Sequence, residues 1–300
     1  MKTRLTTALA IGAIGLTLTA CGNDPTEGEK SATDTITVGS AAFPENEIIA
    51  EMYAQALEAK GVKVEKKLNI GAREAYIPAL KNGEIDLIPE YTGNLLTYLD
   101  KDATATAADD VESALEDALP ENLDILDVSA AEDKDSLNVT AEFSEKEGVT
   151  SIADLKKIDG LKLAANPEFK ERTYGLPGLE KVYGITDVEF TAISDSGGPA
   201  TVKAVLDGKV DVANIYSTTP SILANKLVTL EDPKNMIAAQ NVVPLFNSKK
   251  SSDEVEDVLD QISAQLTTDD LLDLNAKNQG DDKVAPAELA KQWLTDKGLI

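Results

Sequence analysis

Two separated stretches of the chain repeat one design. The first runs Ala79-Leu80-Lys81-Asn82-Gly83-Glu84-Ile85-Asp86-Leu87-Ile88-Pro89-Glu90-Tyr91-Thr92, and the second runs Val205-Leu206-Asp207-Gly208-Lys209-Val210-Asp211-Val212-Ala213-Asn214-Ile215-Tyr216-Ser217. In both, a helical pattern ends at a glycine and Gly-x-(Ile/Val)-Asp opens a short apolar strand. A Tyr followed by a hydroxyl residue stands five positions beyond the Asp. A chain that uses this unit twice is expected to form two α/β lobes, each presenting one tyrosine at a strand end. Ligands of open α/β sheets bind outside the carboxyl ends of the strands, so two such ends facing each other across a cleft would make a clamp. The repeat alone fits a pair of ordinary strand-end aromatics equally well, and that choice stays open on these residues.

The 300 residues suffice for two lobes with separate cores. Lys2 and Arg4, the apolar run Ala8 to Leu18 and the small residues before Cys21 read as a secretory signal, too short and wrongly flanked to span a membrane. Leu18-Thr19-Ala20-Cys21 resembles the bacterial lipoprotein cleavage box, in which the cysteine becomes the lipidated first residue of the mature chain. Cys21 is the only cysteine, so no disulfide is expected once it is lipidated. Residues 22–34 are polar, with Gly and Pro and no periodicity, and read as a flexible tether. The formal net charge of −25 repels nucleic acid and offers no basic stripe to a phosphate backbone. It attracts cations at a distance, although acidic surface also serves solubility alone.

Thr35 to Ser40 alternates as a first strand, and Pro44-Glu45-Asn46-Glu47 starts a helix with a proline in its first turn and acids at the positive end of its dipole. With a second strand at Val62 to Leu68 this is a parallel βαβ unit. The next helix follows Gly71-Ala72-Arg73, and Pro78 is expected in its first turn, where a missing N–H costs nothing. Ser136 to Thr140, a strand after the polar, acidic run Ala131 to Asp135, reads as a crossing between lobes and 237–246 as the return. Helices over 252–266, 268–277 and 286–297 close the chain, with Trp293 in the core. Tyr98 is read as packing against its own lobe.

The chain has no histidine, which removes Ser-His-Asp and Cys-His arrangements and imidazole metal ligands. Its carboxylates do not fall in a calcium-loop spacing, nor its glycines in a complete phosphate loop. Gly39-Ser40 and Gly197-Gly198 read as tight strand-to-helix turns whose N–H groups could still hold a ligand carboxylate. No enzyme activity, cofactor or metal is expected. Two strand-end rings with a few polar groups suit a binding protein, and the negative faces of aromatic rings favour a cation that sheds water easily, above all a quaternary ammonium.

Four segments carry a family resemblance: Gly39-Ser40-x-x-Phe43-x-Glu45; Gly83 to Gly93 with its Pro-Glu-Tyr-Thr-Gly block; Pro167-Glu168-Phe169-x-x-Arg172-x-x-Gly175-Leu176-Pro177-Gly178-Leu179; and Val210-Asp211-Val212-x-x-x-Tyr216-Ser217-Thr218. In that order they resemble the glycine betaine, choline and carnitine (osmoprotectant) substrate-binding proteins of ABC importers, over about residues 35–297. The resemblance implies a two-lobed type II periplasmic-binding-protein fold that closes on its ligand and docks on a permease. It matches Tyr91 and Tyr216 to cage tyrosines, one from each lobe, and Arg172 to an arginine that grips the carboxylate of betaine. Asn94 stands where the family often has a ligand-contacting threonine, beside Thr92 of the same block, and Asn46 where it often has glutamine. Departures from the pattern are Ala41 for a frequent lysine, Thr219 for a frequent aspartate, and Tyr174 where aspartate is common. Ser136-Leu137 and Ala238-Ala239-Gln240 stand where relatives carry further aromatics. Tyr174 is either a substitute wall of the cage or a plain surface tyrosine.

The expected organisation is a signal over 1–20, a lipid-anchored tether over 21–34, a first lobe over 35–138 and 240–300, and a second lobe over 139–239, each a mostly parallel sheet flanked by helices. The expected function is extracytoplasmic capture of a small compatible solute, a quaternary amine, for delivery to an ABC permease and its ATPase. The protein is expected to be monomeric and held to the outer face of the cell membrane through Cys21. Another small polar or aromatic ligand, a secreted enzyme, or a sensory surface lipoprotein without transport are the competing readings.

Overall fold

The computed structural model describes residues 35–281 and 283–300. The expected signal, Cys21 and the expected tether lie outside the described residues. Among the described residues no helix is long and apolar enough to cross a membrane.

The first half of the chain alternates strand and helix: β1 (Thr35–Gly39), α1 (Pro44–Ala59), β2 (Lys63–Lys67), α2 (Arg73–Asn82), β3 (Leu87–Tyr91), α3 (Thr92–Leu99), α4 (Ala108–Ala118) and β4 (Leu123–Ile125). The second half follows with β5 (Asp135–Thr140), α5 (Ala141–Glu147), β6 (Leu161–Ala165), α6 (Leu176–Gly178, continued by a wider turn through Tyr183), β7 (Val188–Ala192), α7 (Pro199–Leu206), β8 (Val212–Tyr216), α8 (Ser221–Ala224) and β9 (Leu227–Thr229). The chain then returns through β10 (Val242–Asn247) and closes with α9 (Asp253–Ser263), α10 (Thr268–Gln279) and α11 (Pro286–Asp296).

The strands form two five-stranded sheets of the same plan, β2-β1-β3-β10-β4 and β7-β6-β8-β5-β9. In each, three strands are parallel and the fourth is antiparallel to both its neighbours, so four of the five run one way. The antiparallel strand comes from a crossing segment: β5 enters the second sheet directly after the first crossing, and β10 enters the first sheet after the return. Residues 135–138, expected in the first lobe, thus pair in the second sheet, opposite Tyr216 to Ala213. A strand pattern by itself does not reveal which of two sheets it joins.

The repeat explains itself in this frame. Each copy turns out of its helix through a left-handed glycine, Gly83 at φ 73° and Gly208 at φ 67°, a backbone region closed to most side chains. The hydrogen bonds also repeat: Gly83 and Glu84 donate to Leu80 and Ala79 as Gly208 and Lys209 donate to Val205 and Ala204. The Asp then ties the new strand to the lobe's first parallel strand. Asp86 N–H donates to Thr37 O while its Oδ2 accepts from Thr37 N, and Asp211 does the same with Lys162. This two-way bond fixes the register that carries Tyr91 and Tyr216 to the last positions of β3 and β8.

The first sheet has apolar layers on both faces, one under α1, α9, α10 and α11 that includes Trp293, the other under α2, α3 and α4. Pro78 lies in the second turn of α2, not the first, because the helix already begins at Arg73. The first turn is pinned there by tertiary bonds: Arg73 and Tyr76 both bind the buried carboxylate of Glu90 at the end of β3. Those charge-assisted bonds outweigh the one helical bond that Pro78 forfeits.

Candidate functional site

Tyr91 and Tyr216 end neighbouring-lobe strands, and Phe43 stands between them. Phe43 is the extended residue before α1, at φ −150°. Its ring centroid lies 5.9 Å from that of Tyr91 and 5.4 Å from that of Tyr216, the latter edge-on. The three rings border a cavity of ≈290 Å³ lined from both lobes. Sequence reading quoted Phe43 only as part of a motif, and its role as a third ring becomes visible once α1 is placed against both strand ends.

The Tyr91 ring is held from behind. Its hydroxyl donates to Glu45 Oε1 at 2.7 Å, and Glu45 Oε2 accepts from Thr218 Oγ1 and Asn275 Nδ2, each at 2.6 Å. Burial, then the nearby Glu45 and Asp133, push the Tyr91 phenol well up, so it acts as a neutral donor. Glu45 itself is raised by burial against the opposing pull of its hydrogen bonds to Thr218, Tyr91 and Asn275.

Two acids from the first crossing, Asp133 and Asp135, reach the cavity. Burial raises both; Glu45 adds to the rise for Asp133, and Asn94 and Asn214 moderate it for Asp135. A cation placed beside these carboxyl groups and the ring faces would favour their charged forms, so the arrangement suits a positive group.

The opposite side of the cavity carries two arginines in different states. Arg73 forms a fork on Glu90 at 3.0 and 2.7 Å, and Tyr76 OH donates to the same carboxylate at 2.6 Å, so its charge is internally balanced. Arg172 reaches from the second lobe to Glu74 of the first, at 2.8 and 3.1 Å, with its guanidinium carbon 5.6 Å from the Tyr98 ring centroid. Its Nε is buried without a hydrogen-bond partner, and the residue lines the cavity. Gly175 permits this arrangement, since a Cβ there would lie 1.8 Å from the carbonyl oxygen of Phe169. The tight coil from Phe169 to Gly175 is what aims Arg172 and Tyr174 at the cleft. Tyr98, expected to pack only within its lobe, receives Arg172 from across the cleft.

Of the residues singled out from sequence, Tyr91, Tyr216, Arg172, Asn94 and Tyr174 line the ring cavity, and Thr92, Asn46 and Thr219 do not. Tyr174 is buried and packs edge-on to Phe169 at 6.3 Å, so it is a wall residue and not a surface one. Asn94 exchanges two 2.8 Å bonds with Gln240 and donates to Asp135 at 2.9 Å, which ties the first lobe to both crossings. Asn46 and Thr92 are occupied by backbone groups. The Asn46 amide accepts from Ala41 N–H at 2.7 Å and donates to Pro89 O at 2.9 Å, and Thr92 Oγ1 accepts from Asn241 N–H at 3.1 Å. Both hold the backbone behind the rings. Thr219 faces a different cavity beyond the Phe43–Tyr216 edge. The N–H groups near Gly197-Gly198 are also taken: Asp195 Oδ2 accepts from Ala200 and Thr201 at 2.7 and 3.0 Å.

Residues 34–296 match the sequence model of the substrate binding domain of the ABC-type glycine betaine transport system. The chain is 30% identical over 260 residues to the glycine betaine-binding protein YehZ of Escherichia coli K12, covering 82% of this chain and 85% of that one. It is 25% identical over 285 residues to a glycine-betaine-binding protein of Pseudomonas aeruginosa, at 88% and 90% coverage. Among solved structures, that of a glycine betaine/carnitine/choline ABC transporter protein superposes with a TM-score of 0.69 at 22% identity, over 88% of this chain and 99% of that one. Apo YehZ superposes at 0.62 with 27% identity, over 89% and 99%. With its two mixed sheets, its interlobe cavity and this match over nearly all of the described residues, the chain belongs to the family of substrate-binding domains of ABC-type glycine betaine transport systems.

Proposed function

We propose that this protein captures a quaternary amine, with glycine betaine or choline as the leading ligands, in the ring cavity between its lobes and delivers it to an ABC permease for import. The observation that carries the reading is the three-ring wall of Phe43, Tyr91 and Tyr216, drawn from both lobes and backed by the buried acids Asp133 and Asp135. A quaternary ammonium has no N–H donor and loses little on leaving water, so ring faces and diffuse negative charge suit it better than a hydrogen-bonding site would. The binding names of the similar proteins from Escherichia coli and Pseudomonas aeruginosa support the same class. Closure belongs to this reading, because Arg172–Glu74, Thr218–Glu45 and the facing rings all join the lobes. So does lipid anchoring through Cys21, supported by the Leu-x-Ala-Cys segment after an apolar signal core.

Arg172 distinguishes ligands within the class. Its free Nε can take a carboxylate oxygen, and a guanidinium repels a bare cation. Arg172→Ala is expected to weaken glycine betaine about tenfold more than choline, the worth of one charge-assisted bond. Loss of the tie to Glu74 acts on closure and so on both ligands alike, which makes the difference between them the informative quantity. Calorimetric titration of the wild type and Arg172→Ala with both ligands reads it, and equal losses would remove the carboxylate role.

A further inference from the structure

Among the ion pairs of the described residues, Arg172 with Glu74 is the one that joins the two lobes. Guanidinium and carboxylate meet as a fork, Nη1 to Oε1 at 2.8 Å and Nη2 to Oε2 at 3.1 Å. Their surroundings differ. The Arg172 side chain is 13% exposed and lines the ring cavity, whereas that of Glu74 is 56% exposed and stands outside the lining. Arg73, one position earlier on α2, pairs with Glu90 inside the first lobe. Glu74 is therefore the carboxylate that the first lobe offers to the cation of the second. Enclosing a ligand takes that cation out of water, and a guanidinium held there without an anion strains the closed state. A ligand with its own carboxylate can supply one, but a ligand that is only a cation adds a like charge instead.

We propose that Glu74 determines specificity as a built-in carboxylate: it stands in for the ligand's own, so that a cation without a carboxyl group can be enclosed beside Arg172. This rests on the quaternary-amine reading of the ring cavity. It gives the two ends of one ion pair opposite effects on ligand choice. Arg172→Ala removes the tie between the lobes together with the guanidinium, and the further loss falls on the ligand that carries a carboxylate. Glu74→Gln removes the tie but leaves the guanidinium behind. A closed complex with choline then holds Arg172 without an anion, while glycine betaine still brings one.

The test is calorimetric titration of choline and glycine betaine into wild type, Phe43→Ala, Glu74→Gln, Arg172→Ala and the double variant Glu74→Gln with Arg172→Ala. Glu74 is more than half exposed and its replacement keeps the shape of the side chain, so the fold is not at stake. Glu74→Gln is expected to weaken choline about fivefold and glycine betaine by less than about twofold. The double variant is expected to bind choline more tightly than Glu74→Gln alone, because the stranded guanidinium has gone with its partner. A carboxylate with a merely structural role would not be rescued in this way. Equal effects on the two ligands in Glu74→Gln, or a double variant no better than Glu74→Gln for choline, would overturn the role of Glu74 and leave the ring cavity standing. A wild type that binds neither ligand, or a Phe43→Ala protein with unchanged affinity for both, would overturn the ring-cavity reading and this role with it.

Discussion

Phe43→Ala is expected to weaken binding of an N-methylated cation by about thirtyfold to a hundredfold. A desolvated cation–ring contact is worth about 2 kcal/mol, and about 1.4 kcal/mol is tenfold in dissociation constant. Phe43 does more than offer one face. It is the ring that touches both Tyr91 and Tyr216, and such aromatic pairs add about 0.5–1.5 kcal/mol each. Tyr91→Ala and Tyr216→Ala remove one face apiece and should cost about tenfold to thirtyfold. Tyr91→Ala also strips Glu45 of a donor, so Tyr91→Phe is the comparison that separates ring from hydroxyl. Tyr98 is no neutral control, because Arg172 lies over it; Tyr53, buried in the core under α1, is the better reference for a purely structural tyrosine. Titration with choline and glycine betaine decides the matter, and a Phe43→Ala protein with wild-type affinity for both would rule out the three-ring wall.

Glu90→Ala should be the most damaging single change to stability near the site. Glu90 is fully buried and receives the Arg73 fork, the Tyr76 hydroxyl and the Tyr91 N–H. Removing one partner of a buried pair leaves an uncompensated charge, which costs about 3–5 kcal/mol. For a chain of this size that lowers the melting temperature by about 10 °C. The double change Arg73→Met with Glu90→Leu should recover part of the loss, because it removes the stranded charge while the Tyr76 hydroxyl and the Tyr91 N–H stay without their acceptor. Thermal and urea unfolding of the wild type, the single and the double variants provide the readout. A Glu90→Ala protein within about 1 kcal/mol of wild type would show that water reaches Arg73 and that the pair is not structural.

What was legible in the sequence is what local chemistry specifies. The glycines that end α2 and α7 and the Asp that opens each tyrosine strand follow from backbone rules, and they were readable as a repeat before any fold was known. So were the closing helices, whose apolar spacing and caps are local. The bond that Asp86 and Asp211 make to the neighbouring strand was not readable, since it needs the partner strand in place. Phe43, Arg73 and Glu45 escaped for the same reason: each acts across elements distant in sequence, and periodicity says only that a residue is buried, not what it meets. Asn46 and Thr92 stand beside site residues in sequence, yet each lies in the first turn of a helix and spends its side chain on backbone groups of another segment, which no local pattern announces. Pro78 shows tertiary bonds overriding a local preference, with α2 held open at its start by Glu90.

The most direct measurement of the central claim is native mass spectrometry of the purified chain with an equimolar mixture of glycine betaine, choline, carnitine, glycine and ethanolamine. The ring cavity predicts a single retained molecule drawn from the methylated members, lost in Phe43→Ala. Retention of glycine or ethanolamine in preference to their methylated counterparts, surviving Phe43→Ala, would contradict it.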